Sequence, residues 1–145
     1  MKENVLITIN STQTTDGEAE SLETIYPGKH RSLPDSNVIL YQEVLPDDTG
    51  NATSLNKNKM KIGEHSLILT KKGTIDTEMI FDPGKTHRGF YKTPYGVFAM
   101  AIHTSCLEIQ KTNDNIHILI RYALELNGMH VSDCTMNIMI QNATV

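Results

Sequence analysis

The sequence lacks tryptophan and any long hydrophobic run, and it has only two cysteines among its 145 residues. The apolar stretch nearest the start, residues 5–9, is interrupted by Thr8 and is too short for a signal-peptide core or a membrane span. Because nothing points to secretion, Cys106 and Cys134 are expected to stay reduced rather than to form a disulfide. We therefore expect a cytoplasmic protein without a membrane segment.

Helical periodicity and catalytic motifs are missing as well. Apolar residues never recur convincingly at three-to-four spacing over three turns, so no substantial helix is predicted. Phosphate-binding glycine loops, nucleophile elbows and zinc-protease helices are absent, so the sequence gives no positive support for an enzymatic activity. His103 and Cys106 form a His-x-x-Cys pair, but residues three apart on a regular strand point to opposite faces. We expect no metal site and no cofactor.

The formal net charge of −4 is unevenly distributed along the chain. Residues 57–92 hold eight basic and four acidic residues, whereas the remainder holds five basic and thirteen acidic ones. A local basic excess can attract an anion, although strand surfaces also carry lysine that discourages aggregation. The basic segment has few aromatic residues and the whole chain is acidic, so nucleic acid is not an expected partner.

The clearest secondary-structure signal lies near the C-terminus. Every second residue from 116 to 126 is apolar, a pattern that predicts a strand with one buried face. Asn127-Gly128 follows directly, and this dipeptide between two apolar-patterned runs is the strongest short-range hairpin signal. The buried face of the partner strand is predicted to carry Cys134, Met136, Ile138 and Ile140. The two strands should form a long hairpin.

Earlier segments give the same alternating signal less cleanly. Their apolar positions are Val5, Ile7 and Ile9; Val38, Leu40 and Val44; Leu67 and Leu69; Ile75, Met79 and Phe81; and Phe98, Met100 and Ile102. Turn-forming residues separate these runs at intervals of about ten residues. The turns are predicted at Pro27-Gly28, Pro34-Asp35, residues 47–51, Gly63, Lys72-Gly73, Asp82-Pro83-Gly84, Pro94-Tyr95-Gly96 and residues 113–115. Residues 1–145 are predicted to form one antiparallel up-and-down β-barrel with little or no helix.

Two polar rows are predicted to lie on the outside of this barrel. They are Lys57, Lys59 and Lys61 in one strand and His117, Arg121 and Glu125 in another. Alternatively, the second row could point inward and line a water-filled lumen. Leu119 and Ala123 interleave with that row, which suggests partial cover by another subunit. A homodimer is therefore one assembly that the sequence allows.

Residues 84–96 collect several groups that can contact a ligand. If this segment is extended, four of its side chains project from one face and supply cationic donors, an imidazole and a phenol. With neighbouring groups, the candidate site consists of Lys71, Lys85, His87, Arg88, Tyr91, Thr93 and Tyr95. Such a set could hold a carboxylate or a phosphate. Alternatively, the tyrosines close the barrel rim and the basic side chains are solvated.

Several of these motifs together resemble a known family. They are Gly84-Lys85-x-His87, Tyr91-x-Thr93-Pro94-Tyr95-Gly96, Thr104, Tyr122-x-Leu124 and Asn127-Gly128. The sequence resembles the YwiB-like bacterial proteins, a family of unknown function, over nearly its whole length. The resemblance implies a cytoplasmic bacterial protein with a calycin-like barrel akin to that of lipocalins and fatty-acid-binding proteins. Lys71-Lys72-Gly73 departs from the arginine that many members place there, and lysine offers a point charge without the planar fork of arginine.

Two functions from different classes follow from this sequence. In the first, the barrel mouth binds the head of a small anionic or amphipathic ligand, and apolar interior residues contact its tail. In the second, the barrel is filled by its own side chains, binds no ligand and serves as a structural or protein-interaction module. The many large apolar residues at inward positions favour a filled interior.

Overall fold

The computed structural model describes residues 1–46 and 53–143. Ten β-strands follow one another along this part of the chain. They are β1 (Asn4–Thr15), β2 (Glu18–Ser32), β3 (Asn37–Pro46), β4 (Thr53–Ile62), β5 (Leu67–Gly73), β6 (Asp76–Phe81), β7 (Thr86–Thr93), β8 (Gly96–Lys111), β9 (Asn115–Leu126) and β10 (Met129–Asn142). No helix occurs within the described ranges.

Each strand runs antiparallel to the strand that follows it, and the last strand returns to the first. β1 pairs with β10 from Val5↔Asn142 to Thr14↔Asp133, and it pairs with β2 along its other edge. The strands thus close a barrel in the order β1-β10-β9-β8-β7-β6-β5-β4-β3-β2. The prediction of an all-β, antiparallel up-and-down barrel is confirmed.

Two hairpins turn on residues with positive φ. Asn127 (φ 51°) and Gly128 (φ 78°) join β9 to β10, which confirms the predicted hairpin. Asp16 (φ 50°) and Gly17 (φ 81°) join β1 to β2 in the same way. Positive φ at both central residues is the requirement of a type I′ turn, which Asn-Gly and Asp-Gly satisfy. The second hairpin was not predicted because the segments next to its turn, residues 10–15 and 18–23, are mostly polar on both faces.

The N-terminal third of the barrel departs from the sequence prediction in two places. Pro27 and Gly28 do not form a turn but lie within β2, at the point where the pairing of β2 with β3 ends at Gly28. A strand tolerates proline where a neighbouring strand is missing. Gly28 is required there, because a Cβ atom would lie 2.8 Å from both Ile7 Cδ1 and the Leu40 carbonyl oxygen. The turn predicted at residues 47–51 lies outside the described residues.

The buried face of β3 is the opposite of the predicted one. Ile39 and Tyr41 point into the barrel, whereas Leu40 and Val44 are 47% and 59% exposed. The prediction was wrong because both faces of β3 carry apolar residues, while the inward row continues to the charged Glu43. Sequence alternation cannot choose between two apolar faces.

The outward rows of β4 and β9 agree with the prediction. Lys57, Lys59 and Lys61 are exposed, and Asn56, Asn58 and Met60 are buried on the opposite face of β4. In β9 the buried residues are Ile116, Ile118, Ile120 and Tyr122, so the row of His117, Arg121 and Glu125 lies outside. The lumen of the barrel is therefore lined by the isoleucine face.

Strand pairing is interrupted at two places around the barrel. β2 and β3 pair only from Gly28↔Tyr41 to Ser32↔Asn37, although each strand continues well beyond that contact. β6 and β7 pair only at Asp76↔Lys92 and Thr77↔Tyr91. The free edges of β2 (residues 18–27) and β3 (residues 42–46) face a gap, which we call the seam.

The buried face of β9 can be tested with two neighbouring substitutions. Ile118 is fully buried in the lumen, whereas Leu119 points outward and is only half-buried. We expect Ile118→Ala to lower the free energy of unfolding by about 2–5 kcal/mol, because it leaves a cavity in the packed core. Leu119→Ala should cost less than about 1 kcal/mol. Urea denaturation measures both, and equal losses would contradict the assignment of the faces.

Candidate functional site

The lumen is packed at one end and hollow at the other. At the packed end, where the odd-numbered strands begin, large side chains are fully buried and fill the barrel. They include Val5, Ile7, Ile39, Ile62, Leu67, Phe81, Ile116, Ile118, Ile138 and Ile140. At the open end, where the odd-numbered strands finish, the inward residues surround a cavity of about 330 Å³. Leu22 at its rim is 64% exposed, so the cavity opens to solvent.

The cavity walls combine apolar and polar groups. The apolar side chains come from several strands and include Ile9, Leu69, Met79, Leu124, Leu126 and Met136. The polar groups are Ser11, Gln13, Thr24, Glu43, Lys71, Cys134 and the hydroxyls of Tyr26, Tyr41, Tyr91 and Tyr122. Small-molecule sites typically place a few polar groups in a mainly apolar cavity of about 300–1,000 Å³. This cavity has that composition and lies at the lower end of that size range.

An ion pair between Lys71 and Glu43 is the charged centre of the cavity. Lys71 Nζ lies 3.2 Å from Glu43 Oε1, and both side chains are less than one-fifth exposed. Asn56 Nδ2 and Asn58 Nδ2 also donate to Glu43 Oε1, each at 3.3 Å. Among the described residues, no other charged side chain lines the cavity. The site therefore carries two opposite charges and no net charge.

The surroundings of Glu43 hold it in the ionised form. Burial alone raises the pKa of this carboxyl, because desolvation disfavours the charge. The positive charge of Lys71 and the hydrogen bonds from Asn58, Lys71 and Asn56 outweigh burial and lower the pKa below its ordinary value. Glu43 is thus a carboxylate near neutral pH and provides the counter-charge of Lys71.

Three tyrosines near this pair stay in the neutral phenol form. Burial raises the pKa of Tyr41, Tyr91 and Tyr122, and the negative charge of Glu43 adds to that effect for Tyr41 and Tyr91. The Cys134 thiol raises the pKa of Tyr122 further. The ring of Tyr41 packs on that of Tyr26 at a centroid distance of 5.0 Å. The phenols provide flat apolar surfaces with hydroxyl groups that can donate to a ligand.

Strand alternation explains why these polar groups meet inside the barrel. Glu43 follows Ile39 and Tyr41 on the inward face of β3, and Lys71 follows Leu67 and Leu69 on the inward face of β5. Each inward row therefore begins apolar at the packed end and becomes polar at the open end. The same pattern was readable for Lys71 in the sequence. It did not reveal Glu43, because the apolar positions Val38, Leu40 and Val44 predict that the opposite face of β3 is buried.

The seven candidate residues do not form one cluster. Lys71 and Tyr91 line the cavity, and Thr93 closes the next turn by donating from Oγ1 to the Gly96 carbonyl oxygen at 3.1 Å. Arg88 lies on the outer face of the barrel, beside a surface groove of about 260 Å³. Tyr95 is 80% exposed in the turn between β7 and β8.

Lys85 and His87 lie toward the opposite end of β7 from Tyr91 and Thr93. Lys85 Nζ is 3.5 Å from Asp82 Oδ2, and its side chain is 67% exposed. His87 Nε2 is buried without a hydrogen-bond partner among the described residues and lies 3.8 Å from the same carboxylate oxygen. His87 and Tyr91 do share the inward face, but four strand residues, or about 13 Å, separate them.

A separate polar network lies on the outer face near β8. His103 Nδ1 is 2.7 Å from Thr86 Oγ1, and His103 Nε2 is 3.4 Å from Glu125 Oε2. A bulge between Thr104 and Cys106 shifts the register of β8. His103 and Cys106 consequently share the outer face, whereas a regular strand would place them on opposite faces. Within residues 1–46 and 53–143, no three His, Cys, Asp or Glu side chains are placed to hold a metal ion.

Comparisons with known proteins agree with this fold. The model of the family DUF1934, described as a domain of unknown function, matches residues 7–138. The crystal structure of the ywiB protein from Bacillus subtilis superposes with a TM-score of 0.83, covering 98% of this chain and 93% of that chain at 19% sequence identity. The likeness to the YwiB-like proteins is thereby confirmed for the fold. No curated protein matches the chain.

No helix in the described part of the chain is long and apolar enough to cross a membrane.

The lowered pKa of Glu43 predicts a specific acid dependence of stability. A carboxyl whose pKa is lower in the folded state contributes stability above its unfolded pKa of about 4.3, and that contribution disappears as the pH falls through the folded pKa. We expect Glu43→Gln to lower the free energy of unfolding by about 1–3 kcal/mol near neutral pH. Below that unfolded value the difference from the wild type should shrink.

Urea denaturation at several pH values measures this difference. The exposed Glu78 on β6 provides a matched control, because Glu78→Gln removes a carboxylate that no described ion pair uses. A Glu43→Gln difference that is constant from neutral to acid pH would contradict the role assigned to the ion pair.

Proposed function

Since the chain belongs to the DUF1934 family, whose function is unknown, we propose from the geometry of its own lumen that the barrel binds a small amphipathic molecule. The observation that carries this proposal is the cavity of about 330 Å³ at the open end, with a buried Lys71–Glu43 pair among apolar side chains. Taking two charges out of water is costly unless they are paired and hydrogen-bonded. A filled, purely structural barrel would have no need of this pair.

The polar head of the ligand would contact the ion pair. All three hydrogen bonds that the described residues make to Glu43 go to Oε1, which leaves Oε2 available as an acceptor. Lys71 has further N–H donors beyond the one that contacts Glu43. A ligand head with both a donor and an acceptor, such as an amide or a zwitterion, matches these groups. A simple anion matches them less well, because it would have to compete with Glu43 for Lys71.

The apolar part of the ligand would lie against the aliphatic and aromatic wall. Leu69, Met79 and Leu124 contribute to this wall from three different strands. Each methylene group that leaves water contributes about 0.8 kcal/mol. The cavity volume corresponds to about ten water-sized groups, so a medium-length chain fits better than a long-chain fatty acid.

The alternative of a protein-interaction module with a filled barrel has support only from the packed end. There, the fully buried isoleucines leave no space for a ligand. The open end differs, because Lys71 and Glu43 replace the large apolar residues that would fill it. The binding function is therefore the better supported of the two.

Calorimetric titration with octanamide, octanoate and octylamine tests the proposal. These molecules share one chain length and differ in the charge of the head group. We expect octanamide to bind best, since its head supplies both N–H donors and a carbonyl acceptor to an ion pair that has no net charge. Native mass spectrometry of the protein purified from its own host should also detect a bound amphipathic molecule.

Three variants connect this binding to the cavity. Lys71→Met should weaken octanamide binding roughly tenfold by removing a charged donor, and Leu124→Trp should abolish it by filling the cavity. Lys85→Met is the matched control, because Lys85 is exposed at the other end of β7. If none of the three compounds binds and no molecule co-purifies, the proposed function is wrong.

A further inference from the structure

The seam leaves two backbone edges without a partner strand. β2 is held by β1 along residues 18–27, and β3 is held by β4 along residues 42–46, but these segments do not pair with each other. In an antiparallel sheet, alternate residues direct their N–H and C=O groups toward each neighbour. Each segment therefore presents backbone groups that no other strand of residues 1–46 and 53–143 pairs with, although Pro27 and Pro46 have no N–H, and such groups can template another strand.

A long groove lies against the seam on the outside of the barrel. Its volume is about 1,030 Å³, and its outward lining includes Pro27, Leu40, Gln42 and Val44. Val44 is 59% exposed, and Ile25 on the other edge is equally exposed. Exposed apolar residues beside free backbone edges are the two features that sites for strand addition combine.

The charge of the groove is positive. Lys29 and Lys57 are the only charged residues that line it among the described residues, and no carboxylate lies there. Lys29 is anchored by a hydrogen bond to Asn4 Oδ1, while Lys57 extends from the exposed lysine row of β4. The three carboxylates of the free β2 edge, Glu18, Glu20 and Glu23, lie farther along the strand, toward the β1–β2 hairpin, and are not part of the groove lining. An acidic partner is therefore complementary to this surface.

We propose that the seam binds an extended, acidic peptide segment of a partner protein, which adds to the free edge of β3 as a further strand. The backbone of the segment pairs with residues 42–46, and its outward side chains pack beside Val44. Its acidic residues face Lys29 and Lys57. The groove borders the lumen cavity at Tyr26 and Tyr41, but Val44, Lys29 and Lys57 are not part of the cavity lining, so this inference does not depend on the proposed function.

The side-chain direction of β3 sets the pattern of the segment. Val44 and Gln42 point outward, whereas Glu43 points into the lumen. A segment that pairs with this edge must alternate in the same way. Apolar or acidic residues are favoured at its outward positions, and an acidic residue is disfavoured at the inward position beside Glu43, where two carboxylates would repel each other.

Fluorescence anisotropy with a labelled peptide of alternating valine and glutamate tests the proposal. Such a peptide can pair with the edge in two registers, with either its valines or its glutamates pointing outward. We expect saturable binding that weakens as the salt concentration rises. A peptide of alternating valine and lysine should bind at least roughly tenfold more weakly. The valine–glutamate peptide with alternate backbone nitrogens methylated should also lose binding, because methylation removes the donors that pair with the edge. Equal binding of either control peptide would overturn the proposal.

Two matched variants separate the seam from the rest of the surface. Val44→Glu places a carboxylate in the groove and should weaken the valine–glutamate peptide roughly tenfold or more. Val97→Glu makes the same change on β8, at a residue that is 60% exposed, and should leave binding unchanged. Both residues are exposed, so neither variant is expected to unfold the barrel. Equal effects of the two variants would contradict the assignment of the peptide site to the seam.

Two further measurements give the proposal a clear outcome. If analytical ultracentrifugation shows a dimer that Val44→Glu dissociates, and the peptide does not bind, the occupant is a second copy of this chain and the proposal is wrong. Val44→Glu should retain octanamide binding, because Val44 lies outside the lumen. Loss of peptide binding with octanamide binding intact supports the seam as a separate site.

Discussion

Pairing of the first strand with the last is the constraint on which the rest of this structure depends. β1 pairs with β10 from Val5 to Thr14, and this ladder converts a ten-stranded meander into a barrel with an interior. Because side chains alternate along every strand, closure places half of them in the lumen. Ile7, Ile138 and Ile140 would lie on an open sheet without it, whereas in the barrel they are excluded from water.

The polar content of the open end follows from the way buried charges are tolerated. Lys71 and Glu43 sit on inward rows, so each must leave bulk water whenever the barrel closes. Each supplies the charge that compensates the other, and Asn56 and Asn58 add donors to the carboxylate. Such a network is stable when all its members are present. Removing one partner of the ion pair is costly, because it leaves the other charge buried and uncompensated. It also keeps hydrogen-bonding capacity in a cavity that would otherwise be apolar, which is the basis of selective binding to a polar head group.

The sequence predicted the barrel better than it predicted the site, and the reasons are physical. The β9–β10 hairpin was predictable because Ile116 to Leu126 alternate on one face only and Asn127-Gly128 supplies the turn. β2 was missed because most of its side chains are exposed on both faces, so alternation carries no signal. For the site, alternation placed His87 and Tyr91 on one face correctly. It could not show which end of the lumen is hollow, because that depends on how the inward side chains of all the strands pack together.

The location of the seam is consistent with the cost of unpaired backbone groups. N–H and C=O groups that lose their strand partner must find water or another partner. Beyond Gly28↔Tyr41, the seam continues toward the open end of the barrel, where solvent can reach both edges. The gap between β6 and β7 lies toward the packed end and is bridged instead. There, the loop between β6 and β7 is held to β8, because the backbone N–H of Gly84 donates to the Thr104 carbonyl oxygen and that of Thr104 donates to the Lys85 carbonyl oxygen. Thr77 Oγ1 donates to the Phe90 carbonyl oxygen in the same region. A gap beside the packed core thus requires internal hydrogen bonds, whereas a gap beside the cavity leaves two edges available for recognition.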